Sequence, residues 1–120
     1  MKGKNESIFR CKDPNGISIN CSRGNWEHAT EHKEMIGQQG VAKAVLETPD
    51  FINRDLTNKK RSNYYKLLVL PNIGSTYVRV TVQRSAIILR KTGYVITSHA
   101  CNNEKKGEIR LWTKNQNPSK

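Results

Sequence analysis

With 120 residues and 21 Lys and Arg against 10 Asp and Glu, the chain has the length of one domain and a formal net charge of +11, an excess that calls for a polyanionic partner. Only 35% of it is hydrophobic, yet residues 66–70 and 85–89 are apolar enough to pack, which excludes a disordered body. No apolar run approaches the ~20 residues that span a bilayer, and no long segment sets a basic face against an apolar one, so membranes are set aside in favour of nucleic acid.

In chain order, the first predicted unit is a hairpin over 7–22. Asp13-Pro14-Asn15-Gly16 has the chemistry of a tight turn, and Ile17, Ile19 and Cys21 repeat with the period of two that places them on one face of a strand. The three cysteines, Cys11, Cys21 and Cys101, form no CxxC pair, and the first residues are polar with no signal-peptide core. A reduced, cytoplasmic setting is therefore expected, although a Cys11–Cys21 disulfide across the hairpin is geometrically allowed. Asn25 reads as the N-cap of a helix over 26–36 stopped by Gly37, with Trp26 as a core anchor. A second helix over 38–47 turns Val41, Ala42, Val45 and Leu46 inward and ends at Thr48-Pro49-Asp50.

Residues 51–62 turn polar and basic and read as a loop. Strands are expected over 63–70, 76–83, 86–90, 94–99 and 108–112, followed by a frayed polar tail over 114–120. Along the second of these, Val78, Val80 and Val82 alternate with Tyr77, Arg79, Thr81 and Gln83, and in the fourth Val95, Thr97 and His99 share a face. These elements describe a single α+β domain with a core over about 7–113: two N-terminal helices, preceded by a β-hairpin, on one face of a largely antiparallel sheet whose other face is free for function.

All three histidines are candidates for chemistry. His28 and His32, four apart on the first helix, would stand one turn apart on one side; zinc is weighed against surface and catalytic roles, but no glutamate directly follows His28 as a zinc protease requires. Imidazole, with a pKa of about 6.5, can take and return a proton near neutrality. Cleavage of RNA by its own 2′-hydroxyl needs such a base, an acid for the departing 5′-oxygen and a cation on the phosphoryl oxygens, and no metal or other cofactor. There is no Walker loop and no obvious carboxylate cluster for two metals. His28, His32, Arg79, Thr97 and His99 are the catalytic candidates. Arg79 is preferred for phosphate because it sits on the polar face of a central strand. Lys59, Lys60, Arg61, Tyr65 and Lys66 are the candidates for holding the substrate backbone or bases. Tyr64 and Tyr65 point to opposite faces, so only one can line a site, and Trp112 is divided between core and base stacking.

The ordered set Phe9-x-x-x-Asp13-x-x-Gly16, Trp26-x-His28-x-x-x-His32-x-Glu34, Thr48-Pro49-Asp50, Tyr64-Tyr65, Thr97 and Lys106-Gly107 ahead of Trp112 resembles the phage-associated nucleases grouped with barnase, EndoU, colicin and RelE-type toxins. That resemblance implies a helix-then-sheet ribonuclease fold working without metal, with His28, His32 and the Thr97 strand bordering the site. Ser98-His99 stands where the group commonly has a small residue and an aromatic, so His99 either adds an acid or base or fills a site made inactive. The expectation is a toxin-type endoribonuclease acting on RNA, with a cognate acidic inhibitor as a further partner. The rival is a non-catalytic nucleic-acid-binding or inhibitor protein from a mobile element, built on the same basic fold.

Overall fold

The turn at residues 13–16 closes as its residue types require. Asp13 Oδ1 accepts from the backbone N–H groups of Asn15 (2.9 Å) and Ile17 (2.8 Å), and Gly16 takes φ +84°, where a side chain would be strained. The computed structural model describes residues 6–85 and 90–114. In it this turn joins β1 (Ser7–Lys12) to β2 (Ser18–Ser22) as an antiparallel pair. Phe9 faces Cys21 and Cys11 faces Ile19, so the two cysteines are not partners, and all three thiols are free. Burial pushes Cys11 up to about 11 and Cys21 up to about 12, which makes them inert packing groups.

The first helix departs from the sequence reading at both ends. Helix α1 spans Arg23–Ala29, and its N-cap is Ser22, whose hydroxyl accepts from the Asn25 N–H at 3.2 Å. Asn25 is thus the capped residue, not the cap. The helix stops at Thr30, whose hydroxyl bonds back to the Glu27 carbonyl, and the chain re-forms as a 3₁₀ turn, Lys33–Met35. Helix α2 (Gln39–Glu47) follows and buries Ala42, Val45 and Leu46.

Five further strands complete the molecule: β3 (Phe51–Arg54), β4 (Arg61–Leu70), β5 (Gly74–Arg84), β6 (Thr92–Cys101) and β7 (Ile109–Thr113). The predicted loop over 51–62 therefore begins as a strand, with β3 paired on one side to β4 and on the other to β7. Of the strand expected over 86–90, residues 86–89 lie outside the described residues, as do residues 115–120 of the expected tail. Lys114, its first residue, is held by Asp50 through backbone and side chain. The fold is α+β: one seven-stranded sheet in the order β1-β2-β6-β5-β4-β3-β7, antiparallel except where β2 runs parallel to the start of β6, with the helices inserted after the first two strands.

Val78, Val80 and Val82 are fully buried in one cluster with Ala42, Val45 and Leu46 of α2 and Trp26 and Ala29 of α1. At roughly 1.5–3 kcal/mol for each large apolar side chain, this layer is the main stabilising contribution. Tyr64 reaches through it to Asp13, its hydroxyl donating to Oδ2 at 2.5 Å. Among the described residues, no helix is long and apolar enough to cross a membrane.

A break of register in β6 decides what the other face presents. Thr97 faces Thr81 but Val95 faces Val82, so Ile96 is an extra residue, a bulge. Val95 consequently points into the valine core while Thr97 and His99 point away from it, which corrects the expectation that the three share a face. Gly93 allows the approach at the base of β6: a Cβ there would lie 2.8 Å from Val82 Cγ1 and 3.0 Å from the Gln83 carbonyl oxygen.

Candidate active site

The sheet register sets His99, Arg79, Tyr65 and Phe51 in one row across β6, β5, β4 and β3, on the face opposite Val78 and Val80. The next row is Thr97, Thr81, Asn63 and Asn53, with Arg110 of β7 beyond. This is the polar side of the alternation in β5, and much of it is buried: Asn53 and Asn63 are fully covered and Thr81 nearly so.

At the centre is Arg79, only 8% exposed. Its guanidinium donates to His99 Nε2 and contacts the Tyr65 hydroxyl, while its Nε is buried with no partner. None of the ion pairs among the described residues involves it. The acid connected to it is one step removed: the Tyr65 hydroxyl donates to Glu108 Oε1 at 2.8 Å. A buried cation facing two neutral groups has given up water without gaining a counter-charge, an arrangement that favours an incoming anion.

His99 is held neutral. Burial, then the Arg79 charge, then His32 bring it down to about 4. Because Arg79 occupies Nε2 as donor, the ring proton belongs on Nδ1, which is buried and unbonded. The ring of His32 lies against it, centroids 4.6 Å apart and tilted by 40°. The contact exists because β2 covers only Thr92–Tyr94 of β6, leaving the upper edge of that strand to the segment after α1. Glu34 closes this edge, its Oε2 accepting from the Ala100 N–H at 2.9 Å. Burial alone would raise the Glu34 carboxyl, but that bond and the nearby His32 and His99 hold it below its ordinary value.

The floor of the site is fixed by Glu108. It accepts from Asn53 Nδ2 (3.1 Å), from Asn63 Nδ2 and from Tyr65, and Asn63 in turn receives the Thr81 hydroxyl at 2.6 Å. Beside it, Arg110 pairs with Glu104 and lies 4.1 Å over the Phe51 ring, which stacks on Tyr65 at 4.8 Å. Asn53, Asn63, Glu104, Glu108 and Arg110 were not candidates from the sequence. Each of the five has a partner distant in the chain, so no local pattern in the sequence marks it. Glu34 could have been found, since it belongs to the Trp26 to Glu34 motif.

The predicted residues separate into two sets. Arg79, Thr97, His99, Tyr65 and His32 come together on this face. His28 does not join them: α1 ends between the two histidines, so they are not one helical turn apart, and His28 stays solvent-exposed with Nδ1 3.3 Å from Glu31. Lys66 points to the helix side, where its Nζ donates to the Thr48 carbonyl at 2.7 Å. Arg61 shares the face of Tyr65 but lies four residues along β4, roughly 13 Å away, with Nε on Gln83 Oε1. Lys59 and Lys60 occupy the exposed turn before it.

The arrangement can set a phosphoryl group against Arg79 with two imidazoles beside it, whereas Phe51 and Tyr65 are buried, with Arg110 over the Phe51 ring, so Tyr65 packs and positions and offers no face to a base. No family model, curated protein or solved structure matches the chain.

Proposed function

We propose that this chain is a metal-independent endoribonuclease of the toxin or effector type, acting on RNA in the cytoplasm. The observation that carries the reading is Arg79, a buried guanidinium with no carboxylate of its own, set beside His99 and His32. In the reaction the 2′-oxygen attacks phosphorus, the bond to the 5′-oxygen breaks, and a 2′,3′-cyclic phosphate forms. Arg79 neutralises the phosphoryl oxygens. Once phosphate draws the guanidinium away from Nε2, His99 accepts the 2′-hydroxyl proton, and the incoming anion raises its pKa toward the working range. His32, on the solvent side, returns a proton to the departing 5′-oxygen. Tyr65, fixed by Glu108, is a positioning residue for Arg79. The nuclease group named from the motif order supports the same chemistry, with His99 replacing His28 in the histidine pair. A cognate acidic protein is proposed to cover the same basic face when the enzyme is silent.

One feature favours a second reading, a binding protein without turnover: Arg79 occupies the lone pair of His99 that a base would need. The two separate in one experiment. Purified protein is incubated with tRNA and messenger RNA in excess EDTA, and the fragments and their ends are read. Cyclic phosphate ends support the nuclease; tight binding without cleavage by folded, inhibitor-free protein overturns it in favour of the binder.

A further inference from the structure

Lys59, Lys60 and Arg61 lie too far from Arg79 to serve the same phosphate, yet their surroundings are built rather than merely solvated. Where β5 ends, the Arg84 N–H donates to the Lys60 carbonyl and Arg84 Nη2 to the Lys59 carbonyl (3.1 Å). On the other side the Ser18 N–H donates to the Lys91 carbonyl and the Ser85 N–H to the Thr92 carbonyl. These bonds clamp the β3–β4 turn, the end of β5 and the start of β6 around a recess of about 260 Å³ lined by Lys60, Arg84, Arg90 and Lys91 together with Ile17, Ser85 and Thr92, with no acidic side chain among the described residues of its wall. None of the four cations belongs to an ion pair among the described residues, and Arg84 Nε is buried without a partner. The carboxylates of the adjoining turns are already engaged, Asp13 by Asn15, Ile17 and Tyr64 and Asp55 by Thr57, Asn58 and Asn63. Four like charges converging on one hollow repel one another until an anion with several oxygens occupies it.

We propose that this recess is a second phosphate site, which takes the backbone of an RNA strand that leaves the His99–Arg79 row and passes Arg61 and the Lys59–Lys60 turn. This inference rests on the nuclease or RNA-binding reading of that row. The chemistry is that of a phosphodiester or terminal phosphate: multiply charged, compact and matched to guanidinium and ammonium donors. The site gives the enzyme a preference for substrates several nucleotides long, because a dinucleotide on Arg79 cannot reach it.

The test compares Lys60→Gln/Lys91→Gln, which leaves Arg84 holding the turn, with Lys43→Gln/Lys114→Gln, which removes the same charge on α2 and after β7, away from the recess. Binding of a twelve-nucleotide RNA and of a dinucleotide, both 2′-O-methylated so that no 2′-hydroxyl is left to attack, is followed by fluorescence anisotropy over a range of salt. For the first variant, affinity for the longer RNA should fall tenfold or more, and the slope of log K against log salt should flatten by about 1 to 1.5, near 0.7 per lost single-strand contact. Dinucleotide binding should hold, and the control pair should show a clearly smaller change. Equal losses in the two variants, or an unchanged slope, overturn the proposal. Amide shifts at Arg84 and Lys91 with inorganic phosphate, in a protein that binds no RNA, would also overturn the strand reading and leave a site for free phosphate. Failure of the nuclease reading is seen separately, as absence of cleavage by the unmodified protein, and does not affect the binding comparison.

Discussion

Replacing Arg79 by Met tests whether a cation was buried for the sake of an anion. A structural arginine pairs with a carboxylate, and its loss strands that acid at a cost of about 3–5 kcal/mol. Arg79 has no such partner, so Met, of similar length and apolar, removes a desolvation penalty and leaves only His99 Nε2 and one contact of the Tyr65 hydroxyl unmet. A gain of about 1–4 kcal/mol from the buried charge, set against about 1–3 kcal/mol for the unsatisfied nitrogen, predicts stability within about 3 kcal/mol of the parent. Phosphate affinity should behave otherwise. Losing a charge-assisted contact worth about 1.5–3 kcal/mol weakens RNA binding roughly 10- to 100-fold, and kcat should fall by about 10² to 10³ if the group stabilises the transition state. Freed from the guanidinium, the His99 imidazole should titrate above its present value of about 4, without regaining 6.5, because burial remains the larger cause. Urea unfolding, anisotropy, single-turnover cleavage and the imidazole resonances measure the four quantities. A protein that unfolds readily but cleaves RNA at the parental rate would refute the reasoning.

Three further outcomes follow from the same geometry. His99 binds its proton less well folded than unfolded, so between about pH 6.5 and 4 the unfolded chain holds more protons and stability should fall as pH falls; the shift corresponds to about 3 kcal/mol, reduced to about 1–1.5 for a half-solvated ring, and urea midpoints at pH 7.5 and 4.5 should lose that difference in His99→Gln. His32→Ala should lower cleavage about 10²-fold with little change in RNA affinity, whereas His28→Ala should leave the rate within about twofold in the same assay, and a rate loss confined to His28→Ala would restore the helical pair. Gly93→Ala should destabilise by about 1–3 kcal/mol in thermal or urea unfolding, since the new methyl meets both Val82 and the Gln83 backbone; an unchanged midpoint would mean that the base of β6 yields freely.

The parts of this fold legible in the sequence are those with strong local patterns. The Asp13 to Gly16 turn and the valine alternation of β5 report their conformations within a few residues, and the alternation also marked Arg79 as lying away from the core. Competition between neighbours hid the rest. Ser22 and Asn25 are both good caps three residues apart, and the choice between them slides the helix and its end. Thr30 stops α1 through a hydroxyl bond to the backbone where no glycine or proline gives warning. The strand β3 is four residues long and is stabilised by β4 and β7, neither of which is near it in the chain. In β6 one inserted residue inverts every later side chain, so period-two reasoning carried across Ile96 puts Val95 on the wrong side of the sheet. The contact of His32 with His99 depends on where α1 ends and on the register of β6 together, and for that reason the sequence suggested His28 as the partner.

The parallel seam between β2 and β6 also sets a timetable. As the chain leaves the ribosome, β1 and β2 can close their hairpin at once, but the outer edge of β2 has no neighbour until Thr92–Tyr94 emerge, and Ile19 and Cys21 stay uncovered by their sheet meanwhile. The histidine pair, Arg79 and the Glu108 floor fall into place only after nearly the whole chain has been made. Pairings so distant form slowly, and a nascent chain stalled anywhere before β6 carries an open strand edge and no working site. On the proposed ribonuclease reading, assembly in this order would leave the synthesising ribosome unharmed, and an inhibitor of the kind proposed would be needed only after release.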